Sequence, residues 1–183
     1  LVTEFIPNAS LGEGLATIRR CFESLARLHE ASFVHGDVSP NNVRATTAPE
    51  HVVFVDWELG YGANVPPLPR GPFRGTMRFV APEVARGEAP STASDVFSLA
   101  LSCLEMLGGT KVRTEVGPAG LVRAAEVPID HETYLARFVS RDVGERASRF
   151  FLHALAHDAN RLPRCIRGRW SHESAALPDR SID

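Results

Sequence analysis

The chain has a single lysine. Of its 20 basic residues, 19 are arginine, and Lys111 is the exception. Net charge is also nearly absent, at −2. That leaves no electrostatic reason to bind nucleic acid or an anionic membrane, and neither is expected as a partner. Cysteine is scarce: Cys21, Cys103 and Cys165 are odd in number and far apart. This excludes a disulfide framework and does not match zinc-ligand spacing. Two of the three sit in apolar helical patterns, so buried thiols in a reducing, cytoplasmic setting are expected. No apolar run approaches the roughly 20 residues a membrane-spanning helix requires. No signal-peptide layout opens the chain. Internal repeats and low-complexity tracts are lacking too. The first residue is Leu1, at the edge of an apolar strand-like segment, so the chain is expected to begin in mid-domain.

What is present suits a globular unit. The sequence has 183 residues, 44% of them apolar and 23% charged, enough for one domain or one large lobe. "LVTEFI" is a short β-prone run that Pro7 and Asn8 end. Leu15, Ile18, Phe22, Leu25 and Leu28 then recur at three- and four-residue steps and predict an amphipathic helix ending near Glu30. Extended pieces follow: "FVH", then "VRAT", then the β-branched "HVVFVDW". They predict a small β-ribbon around a turn. "ELGYGANVPPLPRGPFRG" is too rich in Pro and Gly for helix or central strand. "VFSLALSCLEML", Val96 to Leu107, is apolar nearly all round and predicts a helix buried on every side. Asp95, with Ser91 and Thr92, forms a capping neighbourhood at its start, and Gly108 and Gly109 stop it. Two further helical patterns lie within residues 119–157, and the tail from Arg164 is polar and weakly patterned. The expected fold is mainly α with a small β-ribbon.

The chemistry concentrates in "VHGDVSPNNV", Val34 to Val43. Asp37 and Asn42 flank a turn stiffened by Pro40, and Asp56 ends the next strand. Oxygens of Asn42 and Asp56 could meet across the ribbon and hold magnesium, a hard cation that prefers oxygen ligands. Asp37 could accept the proton of an attacking hydroxyl. Phosphoryl transfer asks for little more than these parts. Taken alone, D-x-x-x-x-N is better explained as turn residues bonded to their own backbone.

The wider pattern resembles the C-terminal lobe of a eukaryotic protein kinase. "HGDVSPNN" is similar to the H-R-D-x-x-x-x-N loop, and "VDWE" stands where D-F-G would be. "GTMRFVAPEV" resembles the end of an activation segment, with Ala81-Pro82-Glu83 as its A-P-E element. "SDVFSLALSCLEML" looks like the buried helix that follows. "HDANRLP" resembles the late segment whose arginine, here Arg161, pairs with the A-P-E glutamate, here Glu83. "LVTEFIPNASL" looks like the last N-lobe strand and hinge. The motifs come in family order.

The resemblance implies a serine/threonine-type protein kinase, of a divergent, fungal-type kind, that uses ATP and Mg2+ on a protein substrate. Residues 1–12 would be the last N-lobe strand and hinge, 13–163 the C-lobe, and 164–183 a weakly structured tail. It implies Asp37 as catalytic base, Asn42 and Asp56 as metal ligands, and Thr76 as the threonine bonded to that base. Thr3 would be the gatekeeper, the backbones of Glu4 and Ile6 would meet adenine, and Arg44 would lie under the ring. Asp95 and the Glu83–Arg161 pair would hold the lobe together. Aminoglycoside- or choline-type small-molecule phosphotransferases share "HGDxxxxN" and "VDWE", but need not have A-P-E or the buried helix. A pseudokinase scaffold is the third alternative.

The departures from the family are specific. Gly36 replaces the arginine that clamps a phosphorylated activation loop. Ser39 replaces the loop lysine that steadies the transferred phosphate. Trp57 and Glu58 replace the Phe and Gly after the metal-binding aspartate, and Arg44 replaces an apolar floor residue. No Gly-rich phosphate loop or strand lysine precedes Leu1 in the sequence, so a C-lobe with its hinge is expected.

Overall fold

The computed structural model describes residues 2–3, 11–46, 52–62, 64–69, 72–109, 111–130, 151–152 and 154–155. Helix α1 runs Leu11–Glu30. Its apolar steps bury Ile18, Phe22 and Leu25, with Cys21 beside them, and Leu28 packs against the same core. On the outer side Arg19 Nε meets Glu23 Oε1 at 2.7 Å, one turn apart and open to solvent. Such a pair adds only a few tenths of a kcal/mol, about 0.3–0.5, so the buried face fixes the helix.

After α1 come β2 (Phe33–Val34), β3 (Val43–Thr46), β4 (Val52–Phe54) and β5 (Tyr61–Gly62). β3 and β4 pair antiparallel, with Val43 opposite Phe54 and Arg44 opposite Val53. This is the expected ribbon. It gains a third strand, β1 (Val2–Thr3), which pairs with the other edge of β3. β2 does not join it. It pairs instead with β5, Val34 opposite Tyr61, in a separate two-stranded sheet. Among its described residues the Pro/Gly-rich stretch is therefore irregular except for β5 and a bridge between Gly62 and Val65.

A single 3-10 turn (Met77–Phe79) and the short α2 (Pro82–Ala85) lead to α3 (Thr92–Gly108). Phe97, Leu99, Ala100, Leu101, Cys103 and Leu104 of α3 are buried within the main core. Each large apolar side chain so buried contributes about 1.5–3 kcal/mol. Three serines are tolerated along this helix because each is satisfied locally. Ser98 Oγ donates to the Ser94 carbonyl at 2.9 Å and Ser102 Oγ to that of Ser98 at 2.7 Å. Ser94 closes a capping box with Ser91. The cap is therefore Ser91, and Asp95, one turn in, is released for another use. Gly109 terminates the helix.

α4 (Gly117–Glu126) is the first of the two helical patterns expected in residues 119–157. The second falls largely outside the described residues, though Phe151, Ala154 and Leu155 pack into the core. The polar tail and Arg161 also lie outside them. Among the described residues the protein is mainly helical with small antiparallel sheets, as expected, and no helix is long and apolar enough to cross a membrane.

Candidate active site

The loop from His35 to Asn42 is held from below by Asp95. This buried carboxylate accepts the backbone N–H of His35 at 2.8 Å and of Gly36 at 2.9 Å, and lies 3.1 Å from His29 Nε2. A helix buried on all sides thus serves as a rigid post for a loop that cannot satisfy its own N–H groups.

His35 ties that loop to the strand carrying Asp56. Its Nε2 bonds the Val55 carbonyl at 3.0 Å, and its Nδ1 receives the Asp37 N–H at 3.3 Å. A carbonyl can only accept and an amide N–H can only donate. The ring must therefore be the neutral tautomer protonated at Nε2. His35 also packs against Trp57 with ring centroids 4.7 Å apart, while Trp57 Nε1 donates to the Phe54 carbonyl at 2.9 Å. Val55 N–H returns a 2.9 Å bond to the Asn42 carbonyl. The two segments bearing Asp37, Asn42 and Asp56 are locked together by backbone and by one imidazole.

Asp37 is oriented from two sides. Thr76 N–H donates to its Oδ1 at 2.7 Å and Thr76 Oγ1 to its Oδ2 at 3.2 Å. Asn42 Nδ2 donates to the Asp37 carbonyl at 2.8 Å and to Oδ2 at 3.2 Å. With its nitrogen committed to two acceptors, Asn42 keeps Oδ1 as its available oxygen. Asp56 adopts a left-handed backbone, φ 65°, which aspartate tolerates better than most residues. Its exposed carboxylate makes no bond among the described residues. Asp37 and Asp56 both open onto a cleft of about 480 Å³, also lined by Glu58, Leu59, Arg74 and Gly75. That volume lies in the range of small-molecule sites.

The remaining expected site residues are placed as follows. Thr3 lies in β1 with its backbone beside Ala45. Arg44 turns its guanidinium back to the carbonyls of Pro40 and Val43, each at 3.4 Å. Glu4 and Ile6 lie outside the described residues. Ser39 is fully buried, and its hydroxyl has no hydrogen-bond partner among the described residues. Glu83 is buried at the start of α2. Among the described residues no group of three or more His, Cys, Asp or Glu side chains could hold a metal by itself. An Asn–Asp oxygen pair nevertheless suits magnesium, which takes one or two carboxylates and completes its shell with phosphate oxygens and water.

Sequence reasoning missed two participants. His35 as a bridge had no local signal beyond its place before Gly36-Asp37. Arg74 had none at all, because only the folded chain brings it to the cleft.

The sequence matches the protein kinase domain family over residues 8–148. It is similar to serine/threonine-protein kinase PknA of Corynebacterium glutamicum, 32% identical over 124 residues, which is 61% of this chain and 26% of the relative. It is similar to mitogen-activated protein kinase kinase kinase 17 of Arabidopsis thaliana, 27% identical over 143 residues, 70% of this chain and 38% of the relative. A third relative is serine/threonine-protein kinase PknA of Mycobacterium tuberculosis, 32% identical over 103 residues, 56% of this chain and 24% of the relative. The chain thus spans between 24% and 38% of the length of these relatives. With the loop, the cleft and a family match over most of its length, the chain belongs to the protein kinase domain family.

Proposed function

We propose that this chain forms the helical lobe and catalytic face of an ATP-dependent protein serine/threonine kinase. The observation that carries the reading is the Asp37 carboxylate. Thr76 and Asn42 fix its direction at the edge of a cleft that Asp56 also lines.

In the reaction, a serine or threonine hydroxyl of the substrate protein attacks the γ-phosphorus. A new O–P bond forms as the bond between γ-phosphorus and the β,γ-bridging oxygen breaks. The hydroxyl proton passes to Asp37, and ADP leaves with the bridging oxygen. Positioning supplies most of the catalysis in such transfers. The bonds from Thr76 and Asn42 hold Asp37 where the hydroxyl must arrive. Magnesium, when bound by Asn42 Oδ1 and the Asp56 carboxylate, supplies charge neutralisation on the phosphates. Adenine would lie against the backbones of Glu4 and Ile6, bordered by Thr3 and Arg44.

The test is phosphate transfer from labelled ATP to a protein substrate by the full-length protein and its Asp37→Asn variant. Loss of about 10²- to 10⁴-fold in turnover, with nucleotide affinity kept, is expected for removal of a general base. Retention of most of the turnover removes Asp37 from the role. Preference for a small hydroxylated acceptor would replace the reading with a small-molecule phosphotransferase. Absence of both transfer and any ATP–magnesium thermal shift would replace it with a non-catalytic scaffold.

A further inference from the structure

Among its described residues the cleft is short of positive charge. Among the described residues three carboxylates face it, from Asp37, Asp56 and Glu58, and Arg74 is the one basic side chain in its lining. A polyphosphate entering such a site meets like charge from the protein. The loop position where the family carries a lysine holds Ser39, which is wholly buried and absent from the cleft lining. Lys111, the sole lysine, follows the end of α3 and is not part of the cleft.

Arg74 is held close to the reacting region by its neighbour. Gly75 passes Asp37 as bare backbone at φ 103°, and a β-carbon there would lie 3.1 Å from Asp37 Oδ1. The next residue, Thr76, bonds Asp37 directly. Arg74 thus sits two residues from an anchor on the catalytic carboxylate. Its chemistry is uncommitted. Arg78, also in this segment, is bound to Glu105 and to the Arg113 carbonyl, and Arg113 to the Val80 carbonyl. Arg74 is exposed and makes no hydrogen bond or salt bridge among the described residues. A guanidinium presents a planar fork of donors matched to two phosphate oxygens.

We infer that Arg74 binds the terminal phosphoryl group of the nucleotide, taking over from the activation segment the charge that the Ser39 position does not supply. The inference rests on the ATP-dependent reading above. Arg74 contacts the γ-phosphate and stays on it as the phosphoryl group moves to the acceptor. The same guanidinium could instead recognise an acidic side chain of the substrate protein, and the experiment distinguishes the two.

The test compares ATP and ADP binding, with magnesium, to the full-length protein and to Arg74→Ala and Arg74→Lys, alongside steady-state kinetics. Loss of a charge-assisted contact should weaken ATP binding about 10- to 100-fold in Arg74→Ala. ADP affinity should be unchanged, and Arg74→Lys should recover part of the ATP preference. Because Arg74 is exposed and unbonded, the unfolding temperature without nucleotide should match wild type. Equal affinities of wild type and Arg74→Ala for ATP overturn the inference while leaving the kinase reading intact. A raised KM for the protein substrate with ATP binding unaltered also overturns it, in favour of substrate recognition. Failure of the wild type to bind either nucleotide overturns both the inference and the reading beneath it.

Discussion

The carbonyl oxygen of Leu59 lies 2.7 Å from the point where a β-carbon on Gly36 would sit. The segment after Asp56 therefore packs into the space that an arginine at position 36 would need. Gly36 also has φ 80°, a left-handed backbone that side-chain-bearing residues adopt at a cost. Gly36→Ala is expected to destabilise the protein by about 1–3 kcal/mol from strain alone, with the clash added. Gly36→Arg should be worse and should not create dependence on phosphorylation. Denaturant unfolding of both variants measures this, and a Gly36→Ala midpoint equal to wild type would contradict the packing described.

The proposed kinase reading then predicts activity that does not depend on a phosphorylated loop. Between Asp56 and Glu83 the hydroxyl-bearing side chains are Tyr61 and Thr76, and both are engaged. Tyr61 OH donates to the Pro90 carbonyl at 2.6 Å, and Thr76 Oγ1 donates to Asp37. Burial first, and then the Asp95 carboxylate, raise the Tyr61 phenol above its ordinary value, so it stays protonated and able to donate. Anchorage of the segment comes instead from Arg78 on Glu105, whose other oxygen accepts Val112 N–H at 2.8 Å. Phosphatase treatment should leave the transfer rate unchanged. Tyr61→Phe should lower stability by about 1 kcal/mol with most turnover kept. A rate that falls on dephosphorylation, with a phosphate mapped to Tyr61 or Thr76, would refute this account.

Much of the scaffold was legible because its signals are local. α3 is apolar all round and α1 is periodic, so burial follows from composition and spacing. The β3–β4 ribbon announced itself through β-branched residues on either side of a turn. The β2–β5 pair did not, since two-residue strands carry no periodicity and Phe33 meets Gly62 only after the chain has returned. Asp95 was visible near a helix start, but its partners were not. Ser91 and Ser94 complete the cap, which frees the Asp95 carboxylate for the loop above. At the site, the sequence put Asp37 and Asn42 on one turn, and the bonds from Asn42 Nδ2 to Asp37 emerge only in the folded turn. The approach of Thr76, and with it Arg74, depends on how the irregular segment crosses the loop, and no local pattern encodes that path. The hinge positions Glu4 and Ile6, and the partner expected for Glu83 at Arg161, lie outside the described residues.

The two core thiols provide a probe of the α1–α3 packing. Cys21 and Cys103 are both fully buried and free. Burial pushes the Cys21 thiol up to about 12 from 9.0. It raises Cys103 well above its usual value too, with Cys21 adding to the effect. The native protein should therefore resist iodoacetamide at both positions at pH 8, and label there only after unfolding. The linkage has a definite sign. A thiol whose folded value exceeds its unfolded one contributes stability that is fully present below pH 9. That contribution falls as pH rises toward about 12, because the unfolded chain ionises first. Each pH unit in that window removes at most about 1.4 kcal/mol for one thiol. Tyrosines titrate in the same range, so the informative quantity is the difference between wild type and Cys21→Ala. The stability advantage of wild type over Cys21→Ala should shrink between pH 9 and 11. Rapid native labelling of Cys21, or a difference independent of pH across that window, would mean that α1 does not seal against α3 as described.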